Sequence, residues 1–407
     1  MMGLILTLIA FFGYNARGIG LAGALTGEDA GPQSGYYNPA MLSYSKARGT
    51  CFNFLYAGIF AGNSAFSVKD VNNYFQEGKV LNFYDKRHLL YQIGLKSLNI
   101  VGRGEVAIFG FKTSGFAIAL EGFVDIDANI HREIFDLILN GNQLGKTYQF
   151  KNLTNYGTAY VALDLAFSKS FNTMQLDPLR KFFFGIGLKA IRGIAYANVD
   201  RLNLTLSVDT NYIYLDGNGR ILASMGGSGM GVDVGIGFET EKWSFGLSLL
   251  NLGAKIRWTD ADSAILFVAH SDSFTVGDLI DNPDTIITDS SWSEPVEPFY
   301  SKLPTEFRIG LGRRIFHDKI RFFGDFSYSS GDLYSEKKLG LATELRYIPF
   351  LPVRFGVAIT NRGNFYTTGM GLRLFKLSMD AGVAFYRGIF ESTKGIRAGI
   401  DIGINLP

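Results

Sequence analysis

Long stretches of this chain alternate strictly between apolar residues and small or polar ones. In residues 395–406, isoleucine, alanine or leucine stands at every second position, separated by glycine, arginine, aspartate or asparagine. Residues 229–239 follow the same pattern, and residues 181–189 follow it with one exception at Phe183. A period of two places all the apolar side chains on one face of a β-strand. These stretches are therefore predicted to be strands with two chemically different faces.

Strand length and loop length indicate which class of β-protein this is. The predicted strands span about ten residues or more, as a tilted membrane-crossing strand requires, whereas a soluble sandwich does not need that length. Short turns are predicted near residues 112–115, 239–242, 316–319, 349–352 and 374–376. Long connections are predicted at about 127–155, 198–227 and 254–302. Short turns that alternate with long loops are typical of outer-membrane barrels. We predict an all-β fold, a closed antiparallel transmembrane β-barrel of about 14 strands, the first of them near residues 88–98. Residues 50–69 could add a hairpin, which would give 16 strands, or pack inside the barrel.

Composition agrees with a membrane barrel. The 407 residues include 49 Gly, 35 Phe and 20 Tyr, but only 19% charged residues and a single cysteine, Cys51. Mean hydropathy is +0.12, yet no apolar run reaches the roughly 18 residues of a membrane helix. One cysteine excludes an intramolecular disulfide. The net charge of +2 gives no reason to expect a nucleic-acid partner.

Residues 17–40 form a segment rich in glycine and alanine ahead of the first strand. Gly18, Gly20 and Gly23 satisfy the G-x-G-x-x-G pattern of dinucleotide-binding proteins. That pattern is informative only inside a βαβ unit with an acidic residue about twenty positions further on, and neither condition is met. A flexible N-terminal loop is the other alternative. A chain this poor in bulky residues can instead pass through a narrow space, because glycine allows close approach of two backbones.

The end of this segment carries the residues that point to a family. Asn38-Pro39-Ala40 should form a turn, since proline fixes its own φ and makes the preceding residue extended. A glycine-rich turn, a short acidic stretch and an Asn-Pro-Ala turn before the first strand resemble the N-terminal plug of FadL-type long-chain fatty-acid transporters. Residues 134–142, 229–233 and 242–252 are similar to an uncharacterised bacterial branch of that superfamily. The chain departs from usual barrels at Asn405-Leu406-Pro407, which lacks a terminal aromatic residue.

We expect three parts of the chain, the first from its apolar start and the other two by the resemblance. Residues 1–16 would be a signal peptide, because residues 3–13 have the length of its apolar region; a first strand or a misannotated start codon is the alternative. Residues 17–49 would be the plug, and residues 50–407 the transmembrane barrel. By the same resemblance, the plug and ligand path would include Gly18, Gly20, Gly23, Asn38, Pro39 and Ala40.

The function that the resemblance implies is passive transport of hydrophobic small molecules, such as fatty acids, across the bacterial outer membrane. The alternative is a secretion partner or structural barrel that handles surface proteins. The expected partners are outer-membrane lipid, a hydrophobic ligand, the barrel-assembly machinery during insertion and, under the alternative, a secreted or surface protein. A transporter predicts an apolar path through the lumen, and a protein-handling barrel predicts a filled lumen.

The sequence shows no motif for catalysis, cofactor binding or metal binding. Four scattered histidines, His88, His131, His270 and His317, lie in no recognisable catalytic pattern. The acidic loop 254–302 lacks the spacing of a calcium loop. We therefore expect no enzyme, no cofactor and no metal.

Two further expectations concern polar residues of the wall and one of its loops. Basic residues on the lumen side are predicted to pair with lumen-facing aspartates; the bases are Lys181, Lys189, Arg308, Arg373 and Arg397, and the acids are Asp233, Asp325, Asp380 and Asp401. Ile130, Ile134, Leu137 and Ile138 have helical spacing. They predict a short amphipathic helix that caps the barrel mouth or lies on the lipid interface.

Overall fold

A computed structural model of the protein describes residues 15–44, 49–141, 143–151, 153, 155–172, 181–209, 212–259, 263–271, 288–331 and 335–406. Strands dominate the described part. They are Cys51–Asn63 (β1), Ser97–Thr113 (β2), Phe116–His131 (β3), Thr147–Lys151 (β4), Tyr156–Asn172 (β5), Lys181–Val208 (β6), Ile213–Glu239 (β7), Trp243–Trp258 (β8), Ser263–His270 (β9), Thr288–Pro295 (β10), Phe299–Lys302 (β11), Thr305–Ile315 (β12), Ile320–Ser330 (β13), Ser335–Leu345 (β14), Val353–Thr360 (β15), Gly363–Leu374 (β16), Leu377–Tyr386 (β17) and Gly395–Asn405 (β18).

The helices are short. They are Ala16–Gly20 (α1), Val68–Tyr74 (α2), Phe83–Ile93 (α3) and Arg132–Asn140 (α4), with 3₁₀ turns at Gly31–Tyr36, Pro39–Ser43 and Phe390–Ser392. Within the described residues, no helix combines the length and the apolar character needed to cross a bilayer.

The strands close into one antiparallel barrel. β1 pairs on one side with β2 and on the other with β18, so the first and last wall strands meet. The closed wall has 14 strands; they are β1, β2, β3, β5, β6, β7, β8 and β12 to β18. β4 pairs with residues 203–207 of β6, β9 pairs with residues 216–223 of β7, and β10 pairs with β9. These strands therefore lengthen one side of the barrel. The predicted closed antiparallel barrel of about 14 strands is confirmed.

The membership of the wall differs from the sequence prediction at two places. A strand was expected near residues 88–98, but residues 83–93 form α3, because Asn82 caps a helix and Asp85 completes its capping box. The remaining wall strand is Cys51–Asn63, a region for which a hairpin or inward packing was considered. Residues 198–227 were expected to be a loop. They are mostly the far halves of β6 and β7, which pair with each other almost to their tips.

The two faces of the wall follow the predicted alternation. On β18, Ile400 is 42% exposed on the outer face, whereas Arg397 is 2% exposed on the inner face. Aromatic rings form a belt on the outer face near the short turns, as at a membrane–water interface. Neighbouring ring centroids in this belt are 4.8 Å apart for Phe52 and Phe111, and 5.2 Å apart for Phe116 and Phe167.

Residues 15–44, which we call the inner segment, lie inside the barrel. Nearly all of them are buried, and they approach glycines on strands all around the wall. Gly110 of β2 lies against Pro32, Gly246 of β8 against Thr26, and Gly382 of β17 against Ala16. A segment that touches the inner face of strands on opposite sides of a closed barrel occupies its lumen.

The remaining predictions about local structure have mixed outcomes. The amphipathic helix is confirmed as α4, although Ile130 belongs to β3 and Ile138 points outward. Ile134 and Leu137 of α4 pack against Tyr148 of β4 and its neighbours. The predicted signal peptide lies outside the described residues except for its last two positions, 15 and 16. Of the acidic loop, residues 260–262 and 272–287 also lie outside them.

Candidate hydrophobic-ligand site in the barrel interior

The inner segment begins with helix α1, and the side chain of Asn15 caps the start of this helix. Asn15 Oδ1 accepts a hydrogen bond from the backbone nitrogen of Gly18 at 2.7 Å, and Asn15 Nδ2 donates to the carbonyl of Ala30 at 3.0 Å. Gly20 lies so close to β16 that a Cβ there would be 3.0 Å from the Cα of Gly369. Gly23 has a φ of +72°, which favours glycine. The glycines therefore allow the chain to turn tightly against the wall.

The Asn-Pro-Ala turn joins the inner segment to itself and to the wall. Asn38 Nδ2 donates to the carbonyls of Thr26 at 3.1 Å and of Ile236, on β7, at 3.0 Å. Asn38 Oδ1 accepts from the backbone nitrogen of Ala40 at 3.0 Å. Pro39 and Ala40 pack against Gly185 of β6, where an added Cβ would overlap their backbone. The side chain of Asn38 thus links the inner segment to β7 by hydrogen bonds, and we call this link the clip.

The six residues predicted for the plug and ligand path serve mainly as packing and anchoring contacts. Gly18 and Gly20 lie in α1, Gly23 follows it, and Asn38 to Ala40 form the turn just described. The two interior cavities described below are lined by other residues. Whether the inner segment blocks passage, and whether these six residues border a ligand path, stay predictions.

An ionic cluster holds the start of the inner segment. We use this name for Arg17, Glu344, Arg354, Arg373 and Asp380. Arg354 donates to Glu344 Oε2 at 2.7 Å and to Asp380 Oδ1 at 2.6 Å, and Arg373 reaches Asp380 Oδ2 at 2.6 Å. Arg17 Nε lies 3.3 Å from Glu344 Oε2. Because Glu344 and Arg354 are fully buried, these charges depend on each other for compensation.

Other wall cations bind the middle of the inner segment. Arg308 donates to Thr26 Oγ1 at 2.9 Å and to the carbonyl of Gly23 at 2.8 Å. Two more ion pairs join the segment to the wall, Arg314 with Glu28 at 3.0 Å and Lys112 with Asp29 at 2.5 Å.

The predicted pairing of lumen charges is mostly confirmed. Lys189 pairs with Asp233 at 2.7 Å, Arg308 with Asp325 at 3.3 Å, and Arg373 with Asp380. Arg397 instead pairs with Glu105 of β2, at 2.5 Å. It can do so because the residue of β1 opposite Glu105 is Gly58, which has no side chain, and Tyr56 of β1 donates a hydrogen bond to Glu105 Oε2 at 2.8 Å. The sequence alone did not single out Glu105.

An aromatic cluster occupies another part of the interior. We use this name for Tyr36, Phe123, Tyr160, Tyr196, Trp258 and Phe299. The ring centroids of Phe123 and Tyr160 are 5.0 Å apart, and those of Tyr36 and Phe123 are 5.9 Å apart. Nearer the long loops, Tyr196 lies 5.4 Å from Trp258 and 5.3 Å from Phe299. The cluster therefore runs from the long-loop end of the barrel down to Tyr36 of the inner segment.

Two cavities meet at Leu303 beside this cluster. An interior cavity of about 30 Å³ is lined by Tyr36, Phe123, Tyr160 and Leu303 and also by polar side chains, namely Lys189, Asn251, Glu306 and Ser329. A more open pocket of about 450 Å³ is lined by Leu303 and by polar side chains at its rim, namely Lys255, Lys302, Thr305 and Ser330. Leu303 thus separates the interior cavity from the open pocket.

The wall is irregular at this point. β8 pairs with β12 as far as Leu250 and Glu306, and with β11 from Lys255 and Lys302 onward. Between these pairs, β8 contains two residues with positive φ, Asn251 at +57° and Gly253 at +66°. The gap in the strand pairing leaves room for the pocket beside Leu303. Neither the aromatic cluster nor this gap was predicted from the sequence, although the inward alternation of the aromatic positions was a usable signal.

A second interior cavity is more polar. It has a volume of about 50 Å³, lies on the side of the short turns, and is lined by Arg17, Asp29, Gln33, Asn53 and Asp380, among other residues. Its many charged and amide side chains make it a less favourable site for an apolar molecule than the aromatic cluster. Of the two interior cavities, the one beside Leu303 and Tyr36 is therefore the better candidate for an apolar ligand.

Comparison with solved structures identifies the fold. The chain is similar to the toluene transporter TbuX of Ralstonia pickettii, with 14% identity, a TM-score of 0.52, and coverage of 97% of this chain and 98% of that one. It is similar to the P. putida toluene transporter TodX, with 10% identity, a TM-score of 0.53, and coverage of 97% and 98%. It is also similar to a Pseudomonas aeruginosa FadL homologue, with 14% identity, a TM-score of 0.50, and coverage of 96% and 98%.

At these identities the likeness shows the fold, which is that of the FadL-type transporter barrels. The resemblance expected from the sequence is thereby confirmed. The model of the family of unknown function DUF5723 matches residues 39–377, and the chain belongs to that family. No curated protein matches the chain in sequence.

Proposed function

We propose that this protein is a passive transporter of small hydrophobic molecules in the bacterial outer membrane. The observation that carries the proposal is the aromatic cluster, which extends from the open pocket beside Leu303 to Tyr36 of the inner segment. An apolar molecule gains free energy when it leaves water for such a lining, and aromatic rings supply much of the contact area. Two neighbours of this fold are named as toluene transporters, which supports an apolar substrate.

In this proposal the open pocket receives the ligand, and Leu303 controls its passage into the interior. The interior cavity is smaller than any such ligand, so neighbouring groups must move before it can pass. The gap between Leu250 and Lys255 in the β8 pairing supplies a place for that movement, since residues outside a strand ladder are held by fewer backbone hydrogen bonds. The inner segment, with Tyr36 at its edge, then acts as a plug whose displacement completes the path.

The test uses one substitution at two leucines. Leu303→Trp fills the junction of the two cavities and should lower the uptake of toluene and of a fluorescent fatty acid several-fold in proteoliposomes. Leu311→Trp makes the same change on the outer face of β12, where the side chain is exposed to lipid, and should leave uptake at the wild-type rate. Equal uptake by both variants would remove the route past Leu303. A loss for one ligand only would identify the chemical class that the path accepts.

Two observations favour a second candidate function. The inner segment fills the lumen, as expected of a barrel that handles surface proteins, and β4, β9 and β10 lengthen one side of the wall beyond the barrel. Under that function, Leu303→Trp should leave small-molecule uptake unchanged, and surface display of a partner protein should depend on the protruding strands. Uptake by the two leucine variants therefore also separates the two functions.

A further inference from the structure

Four exposed basic side chains lie close together on the outer face of the wall, at the end of the long loops. We call them the basic patch; they are Arg192 of β6, Lys255 and Arg257 of β8, and Lys302 of β11. Arg192 is the register partner of Ser228 on β7, and Ser228 is the partner of Arg257. Lys302 lies directly opposite Lys255. Because neighbouring strands are about 4.8 Å apart, these long side chains can reach a common area of the surface.

The basic patch carries charge of one sign, unlike the lumen, where arginines pair with carboxylates. In the part of the chain that the structure describes, Lys255 and Arg257 form no ion pair with a carboxylate. Lys255 instead lies over the ring of Tyr300, the register partner of Arg257, with its Nζ 4.6 Å from the ring centre. Like charges directly opposite each other on neighbouring strands are destabilising. A bound anion would remove this repulsion between Lys255 and Lys302.

The basic patch borders the apolar band on the same face of the wall. On β6, the outward residues Phe184 and Leu188 are 43% and 46% exposed, and Arg192 follows them toward the long loops. On β8, Leu249 is 38% exposed and precedes Lys255 in the same way. In a membrane barrel such apolar residues face the acyl chains of lipid. The basic patch therefore lies at the level of the headgroups, in the leaflet nearest the long loops.

We propose that the basic patch binds the phosphate group of an anionic lipid in that leaflet. Arginine can hold phosphate by two parallel hydrogen bonds, and lysine adds a compact positive charge. Tyr300 suits this depth because its ring is apolar and its hydroxyl reaches the headgroup layer. The occupant is a lipid rather than a protein, because the apolar band next to the patch contacts the acyl chains of the same molecule. This lipid stands at the rim of the open pocket, which Lys255 and Lys302 also line.

The test is native mass spectrometry of the full-length barrel in micelles, titrated with phosphatidylglycerol or with phosphatidylcholine of the same acyl chains. The wild-type barrel should retain phosphatidylglycerol several-fold more than phosphatidylcholine, because choline cancels the charge of the phosphate. The double change Lys255→Gln and Arg257→Gln should remove most of this preference. The matched control, Lys319→Gln with Lys376→Gln, removes the same charge from exposed residues of two short turns and should keep the preference. Heat-modifiable gel mobility verifies that each barrel is folded.

Three results would overturn the lipid site. Equal retention of the two lipids by the wild-type barrel, or an unchanged preference after the double change at Lys255 and Arg257, would mean that the basic patch selects no lipid. An equal loss of preference in the control would mean that net charge alone attracts the lipid. Excess inorganic phosphate should leave the lipid bound; complete displacement would mean that the site takes a small anion instead. None of these measurements depends on uptake, so the lipid site is tested separately from the transport function.

Discussion

The ionic and aromatic clusters hold the same inner segment by different physics. In the ionic cluster, Arg17 of the segment meets Glu344, which also binds Arg354, and every contact depends on direction and on charge balance. In the aromatic cluster, Tyr36 of the segment packs against Phe123 beside a cavity. Ring packing tolerates small displacements, whereas a buried charge that loses its partner costs several kcal/mol.

This difference indicates which part of the segment can move. The α1 end is held by buried charges and should remain in place while a ligand passes. The Tyr36 end rests on apolar contacts that a hydrophobic ligand can replace with contacts of its own. Lys189 marks the border between the two kinds of contact, because its Nζ lies 4.7 Å from the centre of the Tyr36 ring and 2.7 Å from Asp233. The predictions below test this comparison.

The largest effect is expected when the ionic cluster loses its central carboxylate. Glu344→Gln leaves Arg354 and Arg17 buried without sufficient negative charge, and should lower the free energy of unfolding by about 3–5 kcal/mol. Urea unfolding in detergent micelles, followed by heat-modifiable gel mobility, measures the change. The exposed carboxylate of Glu77 provides the control, since Glu77→Gln should change stability little. A Glu344→Gln barrel as stable as wild type would mean that the cluster is not the fixed anchor.

An intermediate effect is expected at the clip between the segment and β7. Asn38→Ala removes the donors to the carbonyls of Thr26 and Ile236, and leaving buried groups unsatisfied should cost about 1–3 kcal/mol. Because this clip lies beyond the ionic anchor, its loss should also raise the open probability in planar-bilayer conductance. Ser168→Ala removes the hydroxyl that donates to the carbonyl of Ala40 and serves as a control with a single lost bond. Unchanged conductance in Asn38→Ala would argue against a plug that moves at this end.

The smallest effect is expected in the aromatic cluster. Phe123→Leu removes a ring that contacts both Tyr36 and Tyr160, and should cost about 1–1.5 kcal/mol because most of the apolar volume is kept. The enlarged cavity should bind toluene more tightly, as measured by isothermal titration of the purified barrel. Phe355→Leu, on the outer face of β15, is the matched control. Weaker toluene binding by Phe123→Leu than by Phe355→Leu, or equal binding, would count against a ligand site at this cluster.

The sequence by itself determined the wall. Alternation with a period of two is a local property, and it correctly predicted the inward and outward faces of β18, the short turns and the strand count. Helix α4 was also predicted, because apolar residues three and four positions apart define a helical face without reference to the rest of the chain. Three lumen ion pairs join members of the predicted sets of bases and acids, because the alternation shows which charged side chains share the inner face.

The tertiary structure decided what lies inside. The aromatic cluster combines side chains from β3, β5, β6, β8 and β11 with Tyr36 of the inner segment. Phe123 and Tyr160 are register partners on neighbouring strands, and the strand register and the path of the inner segment decide which other rings join them. A register shift between Gly193 and Ala195 of β6 changes the alternation, so that the side chain of Tyr196 points into the lumen and joins the cluster. The periodicity of the sequence does not predict such a shift. Arg397 of β18 pairs with Glu105 of β2 rather than with an aspartate, because closure of the barrel places β18 and β2 on the two sides of β1. Local pattern thus specifies which face a residue occupies, whereas closure and bulges specify which residues meet on that face.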